Sequence, residues 1–146
     1  MSKVSVKIIN QSSNPLPYYA TEGSSGMDVM ANVAESITLE PLQRMMIPTG
    51  LFIELPVGYE AQVRPRSGLA ARHGITCLNS PGTIDSDYRG ELKVILINLS
   101  NEEHTIHHGD RIAQMTIHKT ETIKWTPVKK VNSSSRNDGG FGHTGK

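Results

Sequence analysis

The sequence predicts an all-β fold, an antiparallel sandwich or barrel with one short helix. Three observations carry this. Short apolar segments alternate with polar residues, Pro and Gly punctuate them at close intervals, and a helix-forming run occurs only once. At 146 residues the chain is large enough for one domain with a real core and too short for two ordinary ones.

The first element follows from Val4, Val6 and Ile8, which alternate with Lys3, Ser5 and Lys7 as in a strand with one buried face. Ser24-Ser25-Gly26-Met27-Asp28-Val29 reads as a turn that delivers one carboxylate to a strand start. Further strands are expected at 36–39, 44–47, 50–55, 59–64, 91–99 and 112–118. Pro48 with Gly50, Pro56 with Gly58, and Pro81 with Gly82 separate them and are incompatible with long helices. The helix is expected at 67–73, with Ser67 as its N-cap and Gly74 as its stop. From residue 132 the composition changes to three serines and then a glycine-rich run containing Phe141. Such a stretch buries too little surface to fold alone. The reading is therefore a β domain over 1–131 and a flexible arm over 132–146, one that orders over a ligand because a solvated linker gains nothing from a lone phenyl ring.

Bulk properties exclude several functions. Fifteen Lys and Arg against fourteen Asp and Glu leave a net charge of +1, without the field of a nucleic-acid or membrane-surface binder. The lone Cys77 precludes an internal disulfide and points to a reducing compartment. No apolar run approaches a membrane span, and Met1-Ser2-Lys3-Val4 is unlike a signal peptide. A cytoplasmic protein is expected. Six histidines invite a zinc reading, but no Cys-x-x-Cys or His-Glu-x-x-His spacing supports it, and His107 and His108 fit a surface turn before Gly109. Gly140 through Lys146 fits G-x-x-x-x-G-K, yet no Ser or Thr follows it, no helix continues it and no buried parallel strand precedes it, so a P-loop is rejected.

The chemistry concentrates in 79–90, Asn-Ser-Pro-Gly-Thr-Ile-Asp-Ser-Asp-Tyr-Arg-Gly. An amide, a Pro-Gly turn, two carboxylates, a phenol and a guanidinium suit a hairpin gripping a small polar ligand. Strand alternation would place Asp85, Asp87 and Arg89 on one face unless the turn breaks it. The bland account makes Asp87 and Arg89 an exposed pair and Tyr88 packing. Arg66-Ser67-Gly68 offers a guanidinium, a hydroxyl and open backbone at a helix start, a setting that favours an anion. Alone, it fits a cap and a solvated charge better. In Gly109-Asp110-Arg111-Ile112-Ala113-Gln114, Asp110 and Arg111 can form a surface pair of little worth, while Gln114 interrupts an apolar strand and needs partners.

In order and spacing, the segments around Asp28, Arg66, 79–90, 109–114 and 136–145 resemble the five motifs of the trimeric dUTP diphosphatases (dUTPases). The resemblance covers nearly the whole chain. It implies a jelly-roll-like subunit in a homotrimer, with active sites shared between subunits and closed by the C-terminal arm. It implies Mg²⁺-assisted hydrolysis of dUTP to dUMP and diphosphate, keeping dUTP low and supplying dUMP for thymidylate synthesis. On that basis Asp85 is the base that activates water, and Gln114 contacts the α-phosphate and that water. Arg66, Ser67 and Gly68 bind phosphates, and Asp28 touches the metal's water shell. Asn79 with the backbone of Gly82, Thr83 and Ile84 reads uracil, Tyr88 excludes a ribose 2′-OH, Arg136 reaches the outer phosphates, and Phe141 with Gly142 covers the base. The chain departs from the pattern at His143, where a small hydroxyl residue is usual, at Asn137-Asp138, and at Met27 in place of a frequent tyrosine. A dCTP deaminase typically carries R-S-S and a catalytic glutamate, which Gly68 and Asp85 do not match. A dUTP-sensing regulator without turnover, or a purely structural jelly-roll module, explains less of the polar hairpin and the aromatic arm.

Overall fold

A computed structural model describes residues 2–145. Met1 and Lys146, the first residue of the N-terminal expectation and the last of the P-loop-like run, lie outside it. In chain order the strands are β1 (Lys7–Asn10), β2 (Met27–Met30), β3 (Ile37–Leu39), β4 (Arg44–Pro48), β5 (Leu51–Glu54) and β6 (Tyr59–Arg64). After helix α1 (Ser67–His73) come β7 (Ile75–Cys77), β8 (Gly82–Ile84), β9 (Lys93–Asn98), β10 (His104–Ile106) and β11 (Arg111–Lys119). The fold is mostly β with one short helix among the described residues, as expected.

Every strand pairing is antiparallel. The largest sheet runs β2-β11-β6-β8, beside a three-stranded sheet β4-β9-β7 and the pairs β1-β5 and β10-β3. Alternation explains which faces turn inward. In β6, Ala61 and Val63 are buried, and in β9 so are Val94 and Leu96. With Val29, Leu39, Ile47, Leu51, Ile53, Ile75, Ile106, Ile112 and Met115 they form one core. The opposite face of the large sheet is polar. Gln62 bridges Glu60 and Arg64, Arg64 meets His118, and His118 meets Thr116.

Asn98 shows how a buried amide is made tolerable. Its Nδ2 donates to the carbonyls of Leu39 and Glu102, and its Oδ1 accepts from the Ser100 N–H and hydroxyl, so no polar atom there is left unpaired. This fixes the β9–β10 connection against β3.

The helix start corrects one expectation. Arg66, not Ser67, occupies the N-cap position, with extended backbone and no side-chain cap; Ser67 is the first helical residue. The stop is as expected: Gly74 has φ 65°, and its N–H returns to the carbonyls of Leu69 and Ala70. His107 and His108 sit in the turn before Gly109, as read from the sequence.

Candidate active site

The expected site residues fall into three groups. The first gathers on β2, β11 and the β6–α1 junction. In the sheet register Gln114 lies opposite Asp28 on one side and Arg64 on the other. Asp28 is the hub: its Oδ1 accepts from Arg66 Nε at 3.2 Å and its Oδ2 from Arg111 Nη1 at 3.4 Å. Arg66 Nη1 also donates to the Arg111 carbonyl at 3.1 Å, closing the triangle. The carboxylate is only 24% exposed, so this pairing limits the cost of removing it from water. Asp110 and Arg111 thus do not form a pair: Arg111 reaches Asp28, and Asp110 Oδ2 accepts the His107 N–H. That role of Arg111 was missed in the sequence, because Asp28 lies 83 residues away and no local signal marks it.

Two cavities open on this group. One of about 330 Å³ is lined by Arg66, Leu69, His104, Asp110 and Arg111 among others; one of about 110 Å³ by Tyr18, Ser24, Gly26, Asp28, Arg111 and Gln114 among others. Gly26 leaves room beside the second: a Cβ there would sit 3.2 Å from Gln114 Oε1 and 3.3 Å from Thr116 Cγ2, pressing on the Gln114 amide. At Gly68 a Cβ would meet nothing within 4 Å, so the backbone at the helix start is open to an incoming group. The first intrahelical bond is from Ala70 N–H to Arg66 O, which leaves the preceding amides free for a ligand or water. Beside the larger cavity, the His104 ring lies against that of His73, centroids 4.9 Å apart and planes tilted by 42°. Burial, then the charge of His73, push the His104 pKa down; Asp110 pulls the other way, and His107 adds a smaller downward push.

The second group is the 79–90 segment. β8 pairs with β6, placing Gly82 opposite Val63, Thr83 opposite Gln62 and Ile84 opposite Ala61. Asn79 folds back on Gly82, where a Cβ would stand 3.1 Å from Asn79 Nδ2, so glycine there sets the approach of the amide. The strand ends at Ile84, and a turn closed by Tyr88 N–H to Asp85 O at 3.2 Å breaks the alternation of Asp85, Asp87 and Arg89. Tyr88 OH donates to the Glu91 carbonyl at 2.8 Å, and the ring lies over Gly90, so close that a Cβ would overlap it. Arg89 pairs with Glu54 and not with Asp87. Burial raises the Cys77 thiol pKa to about 11, which makes it inert as a nucleophile.

The third group lies on the arm. β11 ends at Lys119, and residues 119–138 are all exposed, including Ile123, Trp125, Val128 and Val131. Arg136 Nε bonds the Gly139 carbonyl, and the His143 ring packs on Gly139. Phe141 is fully exposed and holds φ 51°, a left-handed backbone that a bulky residue rarely adopts.

Among the described residues, no hydrogen bond or ion pair links the first two groups. The register explains why. Asp85 follows Ile84, opposite Ala61, whereas Gln114 is opposite Arg64 with β6 between them. Two strand spacings across and about four residues along place their Cα atoms roughly 15 Å apart. One chain therefore does not bring Asp85 and Gln114 to the same water. Nor do the described residues contain a cluster of three or more His, Cys, Asp or Glu suited to a metal ion.

The dUTPase family profile matches residues 12–145. The chain is 59% identical over 146 residues to the deoxyuridine 5′-triphosphate nucleotidohydrolase of Fusobacterium nucleatum, covering 100% of both. It is 61% identical over 140 residues to the protein of that name from Finegoldia magna, covering 96% of this chain and 98% of the relative. Among solved structures, a Staphylococcus bacteriophage 80alpha dUTPase mutant with dUpNHpp superposes with TM-score 0.87 at 23% identity, over 97% of this chain and 99% of that one. The chain is a member of the dUTPase family.

Proposed function

We propose that the protein hydrolyses dUTP to dUMP and diphosphate by water attack on the α-phosphorus. The observation that carries this reading is the family membership across residues 12–145 together with a full complement of candidate groups. Asp85 takes the proton of the attacking water, and Gln114 holds that water and an α-phosphate oxygen. Arg66, Ser67 and Gly68 bind the phosphate chain, with the open backbone at Gly68 giving room for close approach. Asn79 and the backbone of Gly82, Thr83 and Ile84 read the uracil edge. Tyr88, seated over Gly90, fills the space that a ribose 2′-OH would need.

The roughly 15 Å between Asp85 and Gln114 supports a site completed by a second copy, within a jelly-roll homotrimer. The arm supports the same assembly. Its apolar residues from Ile123 to Val131 have no cover in the single chain, and the strained Phe141 gains a partner when it stacks on the base. Such stacking contributes about 1–3 kcal/mol, comparable to the strain. Gly142 lets the backbone turn there, with φ 85°, and Arg136 follows to the outer phosphates.

Mg²⁺ fits as a passenger on the substrate, since the described residues form no protein cage for it. Carried on the phosphates, it would supply charge neutralisation for an in-line displacement. Asp28 already accepts from two guanidiniums. Its remaining lone pairs are the route for a contact through the metal's water shell. In the cytoplasm, to which the free Cys77 points, the reaction keeps dUTP low and supplies dUMP to thymidylate synthesis.

The test is to mix the protein with Mg²⁺ and dUTP, dCTP, dTTP or UTP separately, resolving diphosphate and ammonia. Diphosphate from dUTP alone is expected, and Asp85→Asn should bind nucleotide while losing most turnover. Ammonia from dCTP would overturn the assignment, and near-normal kcat in Asp85→Asn would remove Asp85 as the base.

A further inference from the structure

The Asp85–Tyr88 turn carries the two side chains that the proposed reaction relies on, yet one backbone hydrogen bond of 3.2 Å closes it, and Asp85, Asp87 and Tyr88 are all exposed. Beside the Tyr88 hydroxyl bond to the Glu91 carbonyl, what braces it is Arg89. Its Nη1 donates to the carbonyl of Ser86 at 2.6 Å and to that of Tyr88 at 3.3 Å, while Nη2 faces Glu54 Oε1 on β5 at 3.5 Å. Glu54 is itself held on its other oxygen by Lys7 of β1, at 3.1 Å. Lys7 foremost, by hydrogen bond and charge, and then Arg89 keep the Glu54 carboxyl below its usual pKa, so the anchor stays ionised. The three charged side chains form a line from the β1-β5 pair to the turn.

We propose that Arg89, anchored by Glu54, is a positioning residue that fixes the backbone between Asp85 and Tyr88, setting the water-activating carboxylate and the sugar-reading phenol in one step. The assignment rests on the roles of Asp85 and Tyr88 proposed above. The geometry asks for a guanidinium. A planar fork can reach backbone carbonyls with one nitrogen and a carboxylate with the other, whereas an ammonium is a single point. The ion pair is exposed at both ends and contributes little to global stability. Its effect is confined to where the turn sits.

Arg89→Gln, Arg89→Lys and Glu54→Gln would be compared with the parent protein by thermal unfolding, steady-state kinetics on dUTP and UTP, and backbone amide exchange of a peptide spanning 84–91 without substrate. Arg89→Gln is expected to leave Tm nearly unchanged, to speed exchange in that peptide, and to lower kcat on dUTP by roughly ten- to a hundredfold, the scale of a misplaced reacting group. Its dUTP/UTP selectivity should fall as well, because Tyr88 loosens with Asp85. Arg89→Lys should recover part of both losses, and Glu54→Gln should repeat them more weakly. Unchanged exchange overturns the proposal. So does lost activity accompanied by a lower Tm and intact selectivity, the pattern of a merely structural residue. Amide exchange does not depend on the catalytic reading, so an active Asp85→Asn would sink that reading while leaving the bracing result to stand or fall by itself.

Discussion

Asp28→Asn separates two accounts of the first site group. The substitution keeps the shape and one acceptor oxygen but removes the charge that Arg66 and Arg111 face. A hydrogen bond to a charged group contributes about 1.5–3 kcal/mol when well buried. Here the contacts are long, at 3.2 and 3.4 Å, and the Arg111 side chain is 54% exposed. Solvent screening brings the pair down to about 1–2 kcal/mol in total. For a chain of this length that corresponds to a Tm lower by roughly 3–6 °C. Thermal unfolding would be followed in EDTA and again with Mg²⁺, without nucleotide. If Asp28 acts chiefly as the ion-pair hub, the loss is the same in both. A Tm within 1 °C of the parent protein, or a loss seen only with Mg²⁺, would refute the hub and leave metal contact as the residue's main work.

Other outcomes follow from the same geometry. Tyr88→Ala should weaken rejection of UTP, read as the ratio of kcat/KM for dUTP and UTP; an unchanged ratio would place the sugar filter elsewhere. Deleting residues 132–146 should cripple turnover while leaving the thermal transition of the β domain in place, since none of residues 132–138 is buried; full activity in the truncated chain would make the arm dispensable. His104 gives a pH signature. Its folded pKa is depressed, chiefly by burial and then by His73. Above the ordinary value near 6.5 both states are neutral and the stability is fully present. As pH falls through that value the unfolded chain takes up a proton that the fold resists, so stability drops until the folded ring titrates too. Tm should therefore fall between pH 7.5 and pH 5.5, and fall less in His104→Phe; equal slopes would refute the shift.

Much of the fold was legible because its longer strands are apolar or alternating. In β6, Ala61 and Val63 at every second position name both the strand and its buried face. β9 is a continuous apolar run from Val94 to Ile97 that names the strand but not the face, and in β11 a register shift between Arg111 and Ala113 breaks the alternation. β7, β8 and β10 have three residues each, too few for any period to show. Ser67 was misplaced for a related reason: serine suits both the cap and the first turn, and only the extended backbone at Arg66 decides between them. For the candidate site, the residue types were visible, but their partners were not. Asp28 meets Arg111 through the register of β2 on β11, 83 residues apart, and Glu54 on β5 meets Arg89 in the loop after β8, 35 residues apart; neither pairing is a property of any local segment.

The proposed division of Asp85 and Gln114 between copies also has a genetic consequence. When each site takes its hairpin from one copy and its amide from another, a chain defective at Asp85 and a chain defective at Gln114 are each inactive alone but complementary together. Random mixing in equal amounts gives sites with both intact halves in about a quarter of cases, since the symmetric assembly draws each half independently. By the same count, one defective allele beside a normal one silences sites only in proportion to its share, with no dominant poisoning of the assembly.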